Sequence, residues 1–228
     1  MKLDKSKKDD VAIAAHLIPG WCYIHEMTLI YELCRKSKIH VEIGTFCGKT
    51  TFIAACAMKN GSEIITVDAM KFGWIQDADP HFRVLFDDED EGGISWPEKI
   101  LDLTIEGIKK LAPDTRVMVV KKPSLQASVD YKMANPDIQI DSIFLDGNHS
   151  RDGVVSDIAS WYPMLKPGGI LFGHDYWNMH PGVIEAVNEC FGKGGVYAGG
   201  FHVHDDTRIW IHTKPEIKQG TPSSYLEG

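Results

Sequence analysis

The stretch IHVEIGTFCGKTT, residues 39–51, decides the fold. Its first six residues form a short apolar run of the length expected for a buried strand. From Lys49 onward, KTTFIAACAMKNG takes up a helical pattern and stops at Asn60-Gly61. A strand that turns through glycines into a helix is the opening unit of a parallel α/β sheet. The rhythm repeats downstream. EIITVDA (63–69) reads as a strand, and PEKILDLTIEGIKKLAP (97–113) as a helix with Pro97 at its first position. RVMVV (116–120) and SLQASVDYKMA (124–134) form the next strand and helix. IDSIFLD (140–146) and RDGVVSDIASWYPML (151–165) follow as another pair. KPGG (166–169) reads as a turn, ILFGHDY (170–176) as a strand and PGVIEAVNECFG (181–192) as a helix. VYAGGFHVHDDTRIWIHT (196–213) reads as two antiparallel strands meeting at Asp205-Asp206. The alternation predicts a mostly parallel sheet covered by helices on both faces, with an antiparallel terminal strand.

Bulk properties bound the function. A chain of 228 residues with 43% hydrophobic content suits one domain with a sizeable core. Residues 1–38 read as an N-terminal helical extension, 39–215 as the main domain, 70–96 as an inserted loop or lid, and 216–228 as a flexible tail. The formal charge of −8 argues against general nucleic-acid or anionic-membrane binding. The longest apolar runs are too short to span a bilayer, and MKLDKSKKDD lacks the apolar core of a signal peptide. Cys22, Cys34, Cys47, Cys56 and Cys190 are odd in number and scattered, as expected of reduced, mostly buried thiols. A cytoplasmic location fits.

Three ligands compete for the loop after the first strand. A dinucleotide needs G-x-G-x-x-G, but Phe46 and Lys49 stand where the second and third glycines belong. A nucleoside triphosphate needs four residues between the glycines, and Gly44 to Gly48 encloses three, although Gly48-Lys49-Thr50 matches the end of that motif. S-adenosylmethionine has no phosphate. Its amino-acid end suits Glu42-x-Gly44-x-x-x-Gly48: glycines permit close approach, a helix N-terminus favours the carboxylate, and an acid can meet the ammonium. Asp68 ends the next strand, where a carboxylate can accept both ribose hydroxyls.

In a sheet of this kind ligands sit outside the carboxyl ends of the strands. FLDGNHS (144–150) and FGHDYW (172–177) each end a predicted strand. Asp146, His149, His174 and Asp175 can therefore converge on one crevice, where carboxylates and imidazoles could hold Mg²⁺ or Mn²⁺. VEIGTFCGKTT, ITVDAM, the long run from Ile140 to Tyr176, and DTRIW together resemble the successive motifs of class I S-adenosylmethionine-dependent methyltransferases. The likeness extends over 39–212. It is strongest to the branch with DG-x-HSY and GHDY motifs, which includes macrolide sugar O-methyltransferases and cephalosporin hydroxylase-type relatives. The resemblance implies a Rossmann-like, seven-stranded fold and transfer of a methyl group to a hydroxyl of a small molecule, such as a sugar. It implies cofactor contacts from Glu42, Gly44, Gly48, Asp68 and Ser124, and Thr45 and Asp146 are further candidates for cofactor contact. The resemblance also implies a divalent ion on Asp146 and Asp175, with His149 as base and Asp146 beside it in catalysis; His174, next to Asp175, is a third candidate ligand. Asn148 stands where the branch often carries an acid, and Arg151 near its usual tyrosine.

Weaker candidates complete the list. His202, His204 and Asp205 could ligate a metal, although solvated histidines are the simpler reading. DDEDEGG (87–93) reads as a solvated acidic loop. Phe72, Trp74, Phe82 and Trp96 could wall an acceptor pocket under the lid. IAAHLI (13–18) could serve a homo-oligomer. A non-catalytic cofactor-binding protein and a nucleotide hydrolase stand as alternatives. An oxidative role would need a His-His-carboxylate arrangement, which is not evident in the sequence.

Overall fold

The computed structural model describes residues 3–71 and 95–216. Helices α1 (Lys8–Ala15) and α2 (Ile24–Cys34) precede β1 (Ile39–Ile43), α3 (Lys49–Ala57) and β2 (Glu63–Asp68). Then come α4 (Trp96–Leu111), β3 (Arg116–Lys121), α5 (Ser124–Ala134) and β4 (Ile140–Leu145). Helix α6 (Arg151–Trp161), β5 (Leu165–Gly173), α7 (Pro181–Phe191), β6 (His202–Val203) and β7 (Trp210–Thr213) close the chain. Phe72, Trp74, Phe82 and the acidic run 87–93 lie outside the described residues.

The sheet order is β3-β2-β1-β4-β5-β7-β6. The first five strands run parallel, and β7 pairs antiparallel with both β5 and β6. The chain moves outward from β1 to β3, then returns to set β4 against the other side of β1. That reversal opens a crevice at the carboxyl ends of β1 and β4, the expected place for a ligand.

Period-two side-chain alternation builds a core on each face. Val41, Ile43, Ile65, Val67, Ile143, Leu145 and Leu171 face α5, α6 and α7, with Trp161 and Phe191 fully buried among them. Ile64, Phe144, Phe172 and Ile211 face α1–α4. The N-terminal helices thus cover a sheet face together with α3. Val11, Ala12 and Ala15 of α1 are spent inside this layer, while Ile13 and Leu17 stay exposed. Helix α4 starts at a capping box: Ser95 Oγ and N both donate to Glu98 Oε2, at 2.8 and 3.2 Å.

One boundary differs from the sequence reading. KPGG is not a turn before the fifth strand but lies inside β5, which begins at Leu165. The β4–β5 register shifts between Ile140 and Ser142. Gly168 N donates to Lys214 O at 2.8 Å, and Lys214 N to Gly169 O at 2.9 Å. Pairing with the returning chain converts the Pro-Gly segment into an irregular strand start.

Candidate active site

The loops after β4 and β5 bring Asp146, His149, His174 and Asp175 together, as the sequence reading expects. Strands β4 and β5 are neighbours, with Leu145 opposite Gly173, so Asp146 and His174 emerge side by side. His149 Nε2 lies 3.2 Å from Asp175 Oδ2 and 3.8 Å from Asp146 Oδ1. His174 Nδ1 lies 3.2 Å from Asp175 Oδ1 and 3.8 Å from Asp146 Oδ1. Asp175 thus stands between two imidazoles. Its φ of 60° is a left-handed conformation that costs an L-residue about 1–2 kcal/mol. Strain held at such a junction is commonly functional.

Three further residues complete the cluster. His180, just before α7, has Nε2 3.9 Å from Asp175 Oδ1, and its ring meets that of His149 edge-on at 4.3 Å. Glu26 reaches in from α2, and Arg208 from the β6–β7 turn binds it through two nitrogens at 3.0 and 2.8 Å. Tyr23 and Trp177 stack on the Arg208 guanidinium, 4.6 and 5.5 Å from its carbon. Arg208 lies within the DTRIW motif and was legible to that extent. Glu26 had a fainter signal: it is a charged residue flanking the apolar stripe Met27, Ile30, Tyr31 and Cys34. The pairing of His180 with His149 and Asp175 supplies the His-His-carboxylate grouping that is not evident in the sequence, with ligand atoms within 4.8 Å of one another.

Electrostatics follow this geometry. Burial opposes charge on His174, but Asp146, Asp175 and Glu26 overcome it and raise the imidazole to about 10. Burial likewise opposes charge on His149, yet Asp146 and Asp175 raise it above the ordinary histidine value. Burial pushes Asp146 up. Burial pushes Asp175 up, but His174, His149 and His180 together bring it below the ordinary value. Glu26, buried yet ringed by His174 and Arg208, falls well below the carboxylate range.

Asn148 lines the same cavity as Asp146, His149 and His174, and its side-chain oxygen bonds within its own loop. Its Oδ1 accepts from Ser150 N at 2.9 Å, and Ser150 Oγ in turn caps α6 by accepting from Gly153 N at 3.1 Å. Arg151 pairs with Asp152 and Glu189 on the surface. His202 and His204 are exposed on the terminal hairpin, and among the described residues they join no metal-ligand grouping.

The glycine loop lies next to the same crevice. Gly44 has φ 97°, and a Cβ there would fall 2.0 Å from the Asp146 carbonyl oxygen. Its lack of a side chain is required by the backbone of the β4 loop. Gly48 has φ 82°, and a Cβ there would meet Leu101 Cδ1 at 2.9 Å. Asp68 accepts from Phe46 N at 2.9 Å and Met70 N at 2.8 Å, one bond per carboxylate oxygen. Each oxygen keeps a lone pair for a ribose hydroxyl. Thr45 Oγ1 bonds Thr66 Oγ1 at 2.6 Å, so its side chain points into the sheet layer. Glu42 is fully buried, and its carboxylate accepts from Thr50, Thr51 and Thr66. A ligand ammonium would have to compete with those hydroxyls. Ser124 Oγ accepts from Trp161 Nε1 at 2.9 Å at the start of α5. Lys49, the residue that mimics a phosphate-loop lysine, donates instead to Gly20 O at 2.6 Å.

Glu42 shares β1 and one sheet face with His40, and the two carry opposite pH signatures. Burial pushes the Glu42 carboxyl up to about 7 and the His40 imidazole down to about 4. Unfolded, His40 takes a proton near 6.5, so acidification from there to about 4 favours the unfolded chain. Unfolded, Glu42 loses its proton near 4.5, so raising the pH from there to about 7 also favours the unfolded chain. Each contributes about 3 kcal/mol across its window, and the slopes oppose where the windows overlap. Thermal unfolding against pH should show Glu42→Gln losing the decline towards neutral pH, and His40→Gln losing the decline towards acid. Parallel curves for both variants and the parent would refute the assignment.

An open sheet with its crevice at the β1–β4 reversal, and an acid–imidazole cluster beside it, defines an α/β domain built to bind a small ligand next to reactive side chains. The chain belongs to the methyltransferase-domain family, whose model matches residues 41–176. No curated protein matches. Solved structures share the fold. CalS11, a TDP-rhamnose 3'-O-methyltransferase of calicheamicin biosynthesis, is 15% identical, with a TM-score of 0.56 over 82% of this chain and 76% of that one. An O-methyltransferase from Bacillus cereus in complex with SAH is 15% identical, with a TM-score of 0.56 over 90% and 87%. The O-methyltransferase NovP is 14% identical, with a TM-score of 0.55 over 85% and 81%. The sheet is the Rossmann-like one that the resemblance implied. Among the described residues no helix is long and apolar enough to cross a membrane.

Proposed function

We propose that this chain transfers the methyl group of S-adenosylmethionine to a hydroxyl oxygen of a small molecule, with a sugar as the first candidate acceptor. The observation that carries this reading is the meeting of His149, Asp146 and Asp175 at the ends of β4 and β5, beside the loop that follows β1. The family supports methyl transfer, and the SAH complex of the Bacillus cereus neighbour supports the donor. The neighbour described as a TDP-rhamnose 3'-O-methyltransferase supports a sugar hydroxyl. Bound S-adenosylmethionine supplies an electrophilic methyl group on a sulfonium.

The side chains then have to place and activate the acceptor oxygen. His149 removes the hydroxyl proton. Its Nε2 faces the Asp175 carboxylate at 3.2 Å, which favours Nδ1 as the accepting nitrogen and gives the resulting imidazolium a carboxylate partner. Asp68 takes the ribose hydroxyls through its free lone pairs, and the loop from Gly44 to Gly48 borders the amino-acid end. Asp146, His174 and Asp175 present ligand atoms within 4.8 Å of one another, a donor set that fits a divalent cation. Such a cation, when bound, lowers the acceptor's pKa.

Calorimetry with S-adenosylhomocysteine and with ATP tests the donor, and radiolabelled methyl transfer to a panel of sugars and phenols tests the reaction. Binding of S-adenosylhomocysteine without ATP affinity, plus label in a hydroxyl acceptor, is the expected result. ATP affinity alone would restore the hydrolase reading. Cofactor binding with no labelled acceptor would favour a binding protein.

A further inference from the structure

Glu26 is the part of the cluster that no strand end supplies. Its carboxylate, 0% exposed, accepts from Tyr23 N at 2.9 Å and Arg208 N at 3.1 Å, besides the two Arg208 side-chain nitrogens. So many donors on α2 and the β6–β7 turn hold it rigidly in place. Its Oε2 lies 3.1 Å from His174 Nε2. His174 is itself buried, and its two ring nitrogens face different acids: Nε2 faces Glu26, while Nδ1 faces Asp175 and Asp146. Carboxylates only accept, and acids face both ring nitrogens, so the metal-free ring is protonated on each: Glu26 holds the Nε2 proton, while a cation on Asp146 and Asp175 would displace the proton of Nδ1, the nitrogen on their side.

We propose that Glu26 is a positioning residue: by holding the Nε2 proton it makes His174 Nδ1 a nitrogen ligand beside Asp146 and Asp175, and the site thereby selects Co²⁺ or Zn²⁺ over Mg²⁺. The inference rests on the divalent-cation reading above and deepens it. An imidazole whose far nitrogen is bonded to a carboxylate is the usual backing of a metal-bound histidine. Nitrogen ligands suit cobalt and zinc, whereas Mg²⁺ takes oxygen and keeps its waters. Arg208 belongs to the same device, since it anchors the carboxylate that anchors the ring.

The test uses the full chain stripped of metal. CoCl₂ and MgCl₂ are titrated separately by calorimetry, with cobalt d–d absorption as a second signal. ZnCl₂ is added to protein labelled with ¹⁵N-histidine and followed by NMR. Cobalt should bind about ten-fold or more tightly than magnesium. Zinc should move the His174 Nδ1 resonance while Nε2 keeps its proton. Glu26→Gln should weaken cobalt binding about 10- to 100-fold while S-adenosylhomocysteine affinity holds. Equal affinities for cobalt and magnesium would overturn the inference and leave the cation reading standing. Zinc on Nε2, drawn to Cys22 and Glu26, would do the same, since those atoms also lie within 4.8 Å of one another. No cation binding at all, with S-adenosylhomocysteine still bound, would remove both. If Glu26→Gln does not fold, the wild-type NMR result decides alone.

Discussion

Alanine at position 149 is expected to cut methyl transfer about 10²–10⁴-fold while S-adenosylhomocysteine binds as before. The imidazole removed is half-exposed and stands against Asp175 and Asp146. Loss of a general base slows proton removal without touching the cofactor loop, so the effect should fall on kcat rather than on cofactor affinity. Two measurements on one preparation check this: calorimetry with S-adenosylhomocysteine, and labelled methyl transfer to the acceptor found by screening. Unchanged turnover would remove His149 from the mechanism. Weakened cofactor binding at unchanged kcat would place it in the binding site instead.

Alanine at position 44 should destabilise the chain by about 4 kcal/mol, combining left-handed strain with overpacking. The new Cβ would lie 2.0 Å from the Asp146 carbonyl oxygen and 2.5 Å from its carbon, both backbone atoms that cannot rotate away. Gly61 is the internal control. Its φ of 74° is also left-handed, but a Cβ there meets nothing within 4 Å. Gly61→Ala should cost only about 1 kcal/mol. Urea unfolding of both variants separates the two contributions, and equal losses would show that the approach to Asp146 is not what requires glycine. Because the clash is with Asp146 itself, any folded Gly44→Ala protein should also bind divalent cations more weakly.

The two predictions mark different depths of legibility. His149 could be singled out because FLDGNHS ends a strand pattern, and strand ends in a parallel sheet face the ligand. Gly44 could be singled out too, but for an incomplete reason: a glycine required by a neighbouring loop and one required by a ligand are the same letter. Glu42 repeats the lesson. Its place in the motif suggests a ligand contact, while the structure surrounds it with three threonine hydroxyls, two on α3 and one on β2. Ser124 bonds Trp161, a residue 37 positions away. None of these partners could be chosen from spacing, because each comes from a different element.

The sequence by itself determined the alternation of strands and helices, the parallel sheet and the acid–histidine pairs at two strand ends. These follow from periodicity and from the rule that binding loops lie at the carboxyl ends of strands, both local or topological facts. Only the tertiary structure decided that KPGG begins a strand, since that depends on Lys214 pairing with Gly168 and Gly169. Only it placed Glu26 and Arg208, 182 residues apart, on the two sides of one ion pair and turned them toward His174. Burial of a charged group depends on which distant elements close over it. A carboxylate on a surface helix and one that positions an active-site imidazole look the same until the helix is docked.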